Sequence, residues 1–294
     1  GSGAFGFEEI ARSLPGVIAA RPAVAHPALL LILLGFLVKA GAFPFGMWWL
    51  PDAHPAAPSP VSALLSGVMI KLGLYGILRV FFQILPPGAY SLPWGLVLAA
   101  FGTLSLFFGT MAALLQHDSK RLLAYHSIGQ VGYMLLGFGI GLACVETNPA
   151  IAAIGLIGGL FHLINHACFK SLLFLNAGTF EFATGERDLN NLGGLGKILP
   201  LTTIATIVAS LSISGLPPFN GFASKWLLYH ASIWSGGPAG LVFLFFGIAA
   251  IFISAVTLAS FIKFMGSTVL GTPSPAVIAG GRYREGTWLG FSQI

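Results

Sequence analysis

The segment IGLIGGLFHLINHACFKSLLFL (residues 154–175) decides the fold class, because it is long and apolar yet carries two histidines and a lysine. It lies within a stretch, 150–180, that exceeds the roughly 20 apolar residues that a helix needs to cross a bilayer. Of the 294 residues, 56% are hydrophobic and only 8% are charged, which is too apolar for a soluble domain. Lipid is therefore the predicted solvent.

Six further stretches of this kind predict about seven spans, two of them interrupted, in an all-α integral membrane bundle, since helices satisfy their own backbone in hydrocarbon. The seven lie near residues 27–50, 61–83, 91–115, 121–143, 150–180, 200–230 and 238–270. We divide the chain into an extracytoplasmic lead-in loop, a transmembrane domain and a cytoplasmic C-terminal segment that we expect to be truncated: 1–26, 27–270 and 271–294. The start GSGAFGFEEIARSLPG, without initiator Met or signal-peptide pattern, indicates a fragment of a longer protein.

The basic residues predict the orientation of the bundle. With seven spans, six of them fall on the side that carries the C-terminus: Lys120, Arg121, Arg187, Lys197, Arg282 and Arg284. The positive-inside rule places this side in the cytoplasm. The prediction is a multi-pass protein of the cell inner (plasma) membrane.

Composition argues against several other classes. The net charge of +5 is spread over scattered basic residues, with no basic face for a nucleic acid. Cys144 and Cys168 stand singly, so they form neither a disulfide framework nor a metal-binding pair. His162 and His166 have the spacing of zinc ligands, but Leu163 replaces the glutamate of a metalloprotease motif and no third ligand is evident. We predict no metal site.

Two spans are interrupted by glycine and proline in a related way. The first reads KAGAFPFGMW (39–48) and the sixth reads SGLPPFNGFASKW (214–226), each with a lysine on one side. Proline removes a backbone donor and clashes with the preceding turn, so each helix should break there. Paired breaks of this kind indicate an internal repeat and a transport site at mid-membrane depth, although proline and glycine are also common in ordinary membrane helices.

Several ionisable side chains fall inside these apolar stretches, where each costs roughly 2.5 to 3.5 kcal/mol to insert. They are Lys39, Lys71, His162, His166, Lys170 and Lys225. Steps of four residues on a helix turn about 40° and rise about 6 Å, so the trio from 162 to 170 forms a stripe of roughly 12 Å on one face. Because histidine titrates near neutral pH, this stripe is typical of a proton relay.

Other interpretations of these residues stay open. A single buried histidine is ordinarily a packing residue bonded to a neighbouring helix, and the lysines could be structural elements of a passive scaffold. No carboxylate lies in the membrane interior to pair with the lysines, since Asp52, Asp118 and Glu146 fall in or beside loops and Glu181 is near a span end. Either the lysines are neutral or the partner acid lies on a part of the protein outside this sequence.

Five motifs together resemble the antiporter-like proton-pumping subunits of respiratory complex I, of energy-converting membrane hydrogenases and of multisubunit sodium/proton antiporters. They are FPFGMWWLPDAHPAAPSPVSALLSGVMIKLGLYGILR (43–79), HDSKRLLAYHSIGQVGYMLLG (117–137), FHLINHACFKSLLFLNAG (161–178), RDLNNLGGLGKILP (187–200) and SISGLPPFNGFASKW (212–226). The wording AHPAAPSPVSALLSGVMIK resembles the formate-hydrogenlyase type of hydrogenase subunit. The resemblance implies two inverted five-helix repeats, of which this chain holds the end of the first and most of the second.

The resemblance also implies roles for single residues. Lys39 and Lys71 match the lysines of the first broken helix and of the next helix, and Lys225 matches the exit-side residue of the second broken helix. Lysine at that last position departs from the glutamate frequent in hydrogenase-type members. The central relay matches His162, His166 and Lys170. A glutamate that pairs with the Lys39 position is expected upstream of this sequence.

The function implied is that of a proton-translocating subunit of a redox-driven complex, of the hydrogenase or NADH:quinone oxidoreductase type. Such a subunit holds no redox site or cofactor of its own, so whether the chain counts as part of an enzyme depends on its complex. Its partners would be other membrane subunits, protons, possible sodium ions and the lipid bilayer, with no nucleic acid. The alternative is a subunit of a multisubunit sodium/proton antiporter without a redox partner.

Overall fold

In the computed structural model, residues 6–85, 88, 90–279 and 285 are described. Their helices are α1 (Phe7–Ala20), α2 (Pro22–Ala40), α3 (Gly46–Ala56), α4 (Ser59–Leu64), α5 (Lys71–Leu78), α6 (Ser91–Leu114), α7 (Ser119–Ala143), α8 (Pro149–Thr184), α9 (Pro200–Ser214), α10 (Asn220–Ile233), α11 (Gly240–Thr268) and α12 (Pro275–Ala279). Two π-helical turns, Leu65–Met69 and Arg79–Ile84, follow α4 and α5, and a 3-10 turn, Leu195–Lys197, precedes α9. Within these ranges the only extended pairing is an isolated bridge between Asp118 and Asp188. The all-α class is confirmed.

Five helical segments in the described part of the chain are long and apolar enough to cross a membrane. They are Pro22–Ala40, Ser59–Ile84, Ser91–Leu114, Pro149–Thr184 and Gly240–Thr268. Two other predicted spans differ from these: α7 has 25 residues but carries many polar side chains, and α9 is apolar but has only 15 residues before its break. The membrane class is confirmed, whereas the predicted number of seven spans is not.

The start of the chain differs from the predicted lead-in loop. Residues 7–20 form α1, and α2 begins at Pro22, well before the predicted boundary at residue 27. Glu8 and Glu9 lie in the first turn of α1, where carboxylates favour the positive end of the helix dipole. An exposed ion pair of 3.7 Å joins Arg12 to Glu8 one turn away. Local charge pairing of this kind favours a helix where hydropathy alone indicates a loop.

Both predicted helix breaks are present, and each is built around two glycines. α2 ends at Gly41 and α9 ends at Gly215, whose φ angles of 69° and 79° are in the left-handed region. On the far side of each break a second glycine permits a backbone contact. A Cβ atom added to Gly46 would lie 2.0 Å from the Gly41 carbonyl oxygen. A Cβ atom added to Gly221 would lie 1.8 Å from the Ser212 carbonyl oxygen. Gly46 and Gly221 therefore leave no room for a side chain on the far side of each break.

Helix α7 lies at the centre of the bundle and is buried along almost its whole length. It packs closely against α6 through facing glycines, so that a Cβ atom at Gly132 would lie 2.4 Å from the Gly102 carbonyl oxygen. On its other side it packs against α8. This central position explains why α7 tolerates the polar residues that lower its hydropathy, because they face protein and not lipid.

Candidate functional site

Helix α8 places three ionisable side chains in the interior of the bundle. His162, His166 and Lys170 are each 0% exposed. Their face packs against α7, α10 and the α4 segment with its π turn. Two more lysines are buried: Lys71, at the start of α5 after the π turn, is 7% exposed, and Lys225 on α10 is 1% exposed.

Lys71 contacts the stripe on α8 directly. Its Nζ atom lies 2.6 Å from His166 Nδ1 and also donates to the Ser66 carbonyl oxygen. Ser66 belongs to the π turn that precedes Lys71, and π turns occur frequently at functional sites. The Ser66 hydroxyl is 2.8 Å from the hydroxyl of Ser127 on α7. The turn therefore orients the lysine toward the histidine and connects it to α7.

His162 is held by hydrogen bonds at both ring nitrogens. Nδ1 lies 2.9 Å from the hydroxyl of Ser224 on α10, and Nε2 lies 3.0 Å from Oε1 of Gln130 on α7. The amide of Asn165 donates to the same serine hydroxyl at 3.1 Å. This arrangement fixes the ring plane between the second broken helix and the central helix.

Lys225 lies directly against the break between α9 and α10. Its Nζ atom is 2.9 Å from the Ile213 carbonyl oxygen, 3.3 Å from the Ser214 carbonyl oxygen and 2.9 Å from the Ser254 hydroxyl. Carbonyl groups at a helix C-terminus carry partial negative charge, so they stabilise an ammonium group. The ammonium group also lies 4.6 Å from the ring centroid of Tyr133, which itself packs 5.5 Å from the His162 ring. The Tyr133 ring therefore packs near both His162 and Lys225.

Lys170 makes its contacts with α7 and with the next turn of α8. Its Nζ atom donates to the Leu123 carbonyl oxygen on α7 and lies 5.5 Å from the Phe174 ring centroid. The stripe is thus present as a buried face, but the direct contact to His166 is made by Lys71. Helix spacing predicts which residues share a face, whereas contacts across the bundle decide the order of the groups.

Lys39 is the one predicted residue that the structure does not bring into this cluster. It lies in the last turn of α2 with an exposed side chain. Among the described residues it has no carboxylate partner. An apolar run such as LLLILLGFLV identifies a span but cannot say which of its faces is turned outward.

Sequence reasoning missed an ion pair at the end of the bundle formed by the loops around residues 118 and 187, which we name the basic end. Lys120 is only 3% exposed, and its Nζ atom lies 2.7 Å from Oε2 of Glu181. Arg187 lies 3.7 Å from both Glu181 and Asp118. Because Lys120 directly follows HDS at the start of a span, hydropathy predicted a loop residue. The available signal was the position of Glu181 near the end of α8, away from the central stripe.

Two further buried histidines also escaped the sequence analysis. His126 on α7 places Nε2 2.8 Å from the Ser260 hydroxyl. His54 on α3 is 0% exposed and stacks on the ring of Phe174 at 4.3 Å. Neither has another histidine three or four residues away, so helix spacing gives no signal for them.

The pair at positions 162 and 166 does not converge on a metal. Both ring nitrogens of His162 face Ser224 and Gln130, and Nδ1 of His166 faces Lys71. In the part of the chain that the structure describes, no group of three or more metal-ligating side chains comes together.

Comparison with known proteins agrees with this architecture. Residues 2–257 match the family model described as "NADH:quinone oxidoreductase/Mrp antiporter, TM". Hydrogenase-4 component B of Escherichia coli (strain K12) is 39% identical over 257 residues, which are 86% of this chain and 38% of the relative. Formate hydrogenlyase subunit 3 of the same strain is 40% identical over 249 residues, 83% of this chain and 40% of the relative.

A solved structure has the same fold. A chain of the membrane-bound sulfane sulfur reductase, described as an archaeal respiratory membrane complex, superposes with a TM-score of 0.84 at 31% identity. The match covers 99% of this chain and 46% of that one, so this chain spans less than half the length of the relatives it matches. Since the family model covers most of the chain, the protein belongs to the NADH:quinone oxidoreductase/Mrp antiporter family of membrane subunits.

Proposed function

We propose that this chain is part of a proton-translocating subunit of a redox-driven membrane complex, of the hydrogenase or NADH:quinone oxidoreductase type. The observation that carries the proposal is the contact of 2.6 Å between Lys71 Nζ and His166 Nδ1 in the interior of the bundle. A charged lysine donates in this contact, and a neutral lysine accepts from a protonated ring nitrogen. The two states differ only in the position of one proton, which is what a transfer step requires.

The proton pathway that we propose continues from His166 along α8 to His162, and from there past Tyr133 to Lys225. Lys170 is a further carrier of this pathway, on the side of the basic end. Nitrogen bases at four successive positions on three helices support the proposal, because lysine and histidine carry protons. In this proposal Lys225 is the exit-side group, and the carbonyl groups of Ile213 and Ser214 stabilise its charged form.

The drive for translocation comes from partner subunits. Lys39, exposed at the edge of α2, is the group that would face a glutamate on the upstream part of the protein. Formation or separation of that pair changes the potential at Lys71 and shifts its protonation equilibrium, and each pKa unit corresponds to about 1.4 kcal/mol. The membrane subunits of hydrogenase-type complexes are the partners that the similarity to the Escherichia coli proteins favours, in a plasma membrane.

A second candidate function is sodium/proton antiport without a redox partner. The family description names the Mrp antiporter beside the quinone oxidoreductase, and this favours keeping the candidate. Both candidates use the same buried groups for the proton. They differ in whether electron transfer or a sodium gradient drives the movement.

The test is formation of a pH gradient by inverted vesicles that contain the full complex, with wild type compared with Lys170→Met in the presence and absence of sodium. We expect the redox-driven gradient to fall at least about tenfold in the variant, since a buried carrier is removed. The exposed Lys197 provides the matched control, and Lys197→Met should leave the gradient unchanged. A gradient that requires sodium and not an electron donor would favour the antiporter. An unchanged gradient in Lys170→Met would contradict the role of the buried lysines.

A further inference from the structure

His54 is a buried titratable group that the pathway along α8 does not use. It lies on α3, the second half of the first broken helix, and is 0% exposed. Within the described residues neither of its ring nitrogens has a hydrogen-bond partner. A buried polar atom without a partner ordinarily costs about 1 to 3 kcal/mol, so an orphaned histidine at this depth calls for a functional explanation.

We propose that His54 is a proton carrier that connects Lys170 with the Lys120–Glu181 pair at the basic end of the bundle. This inference rests on the proposed function, since it supplies a second route to one of its buried lysines. It assigns a role in proton movement to His54, Lys120 and Glu181, none of which belongs to the pathway along α8. The species carried along this route is a proton, which comes from the aqueous phase at the basic end.

The inner end of the route is formed around one aromatic ring. His54 stacks on Phe174 with ring centroids 4.3 Å apart and planes inclined by 21°. The ammonium group of Lys170 lies 5.5 Å from the centroid of the same ring. His54 therefore shares a packing partner with Lys170.

The outer end of the route reaches the surface through the ion pair. Lys120 is 3% exposed, and its Nζ atom lies 2.7 Å from Glu181, whose side chain is 35% exposed. The same ammonium group donates to the Ala57 carbonyl oxygen at 3.3 Å, three residues after His54. The ion pair thus joins Glu181, which is in contact with solvent, to Lys120, which contacts the segment that follows His54.

The transfer is balanced by the two nitrogens of the ring. Lys120 gives a proton to one ring nitrogen of His54 and recovers one from Glu181, which is protonated from solvent. The other ring nitrogen releases its proton to neutral Lys170, which returns the imidazole to its neutral form. No electron moves, and the net change is one proton carried from the basic end to Lys170.

The experiment measures the initial rate of redox-driven pH-gradient formation by inverted vesicles with the complete complex. His54→Phe preserves a ring that can stack on Phe174 but cannot carry a proton, and we expect the rate to fall about tenfold. Lys120→Met should give a similar loss. If both act in one route, the double variant should be no slower than the slower single variant, because the second change removes nothing further. His230→Phe, at an exposed histidine, is the control and should match wild type.

Four outcomes bear on the inference and on the proposed function. Rates within about twofold of wild type in both single variants would overturn it, as would fully multiplicative losses in the double variant. If Lys170→Met abolishes the gradient while His54→Phe does not change it, the route through His54 is wrong and the proposed function stands. If Lys170→Met and His54→Phe both leave the gradient intact, the proposed function itself fails. Should His54→Phe not assemble, His54→Gln with Glu181→Gln tests the same prediction.

Discussion

Lys71 Nζ lies 2.6 Å from His166 Nδ1, and this contact joins the segment after the π turn to the centre of α8. Both groups are buried, and the described residues around them offer no carboxylate. A lysine without a carboxylate partner in a bilayer is stable as an ammonium only when other groups share its charge. The contact therefore couples the charge states of two groups on two different helices, as stepwise proton movement requires.

Replacing His166 by glutamine should interrupt the pathway while preserving a hydrogen bond to Lys71. The glutamine oxygen can accept from the lysine, but an amide does not titrate. We expect redox-driven gradient formation in inverted vesicles to slow about tenfold. His230→Gln is the matched control, because this histidine is exposed. A wild-type rate in His166→Gln would assign the histidine to packing alone.

Ser224 should affect transfer through its bond to His162. Ser224→Ala removes the partner at 2.9 Å from Nδ1, and a lost hydrogen bond of roughly 1 kcal/mol corresponds to about a fivefold slower rate. Ser232 lies buried on the same helix, but its hydroxyl donates to the Leu228 carbonyl oxygen of its own helix. Gradient measurements on Ser232→Ala should therefore match wild type. Equal losses in the two variants would point to a general disturbance of α10.

The second helix break should not tolerate a side chain at Gly221. Gly221→Ala places a Cβ atom 1.8 Å from the Ser212 carbonyl oxygen, so the half-helices must move apart. Overpacking of this kind costs at least about 2 kcal/mol, and we expect less assembled complex and a lower melting temperature. Gly266→Ala is the control, because its Cβ atom would meet nothing within 4 Å. Equal melting temperatures in both variants would refute the backbone contact.

Acid should weaken the loop that carries Glu186. The backbone amide of Asp188, the side-chain amide of Asn191 and the backbone amide of Arg187 hold the pKa of the Glu186 carboxyl below its usual value. A lowered pKa in the folded state stabilises the protein above the pKa of the unfolded chain, about 4.3, and the contribution disappears as the pH falls through the folded value. The melting temperature of Glu186→Gln should therefore approach that of wild type on acidification. Glu146→Gln, at an exposed carboxylate outside this loop, is the control. A difference between Glu186→Gln and wild type that stays constant on acidification would contradict this prediction.

Much of the fold could be predicted from local sequence. Apolar length identified the helices of the membrane domain, and the paired motifs around Pro44 and Pro218 identified both breaks. These features depend on residues that are neighbours in the chain. α1 was missed because its helix depends on charge pairing and amphipathic character, which hydropathy does not measure.

The site could be predicted only in part, because its order depends on contacts between distant segments. Burial of Lys71, Lys170 and Lys225 followed from their apolar surroundings. The contact between Lys71 and His166 crosses 95 positions of sequence, and that between Lys120 and Glu181 joins two helix ends. Lys39 shows the converse, since an apolar run placed it in a span but could not indicate its outward face.

The most direct test of the proton pathway is the redox-driven pH gradient of inverted vesicles that carry Lys71→Met in the complete complex, measured together with electron-transfer turnover. The pathway predicts that the gradient falls at least about tenfold while complex assembly remains at the wild-type level. It also predicts that Lys197→Met leaves the gradient and complex assembly unchanged. A wild-type gradient in Lys71→Met would contradict the pathway, because the contact with His166 would then be dispensable for proton movement.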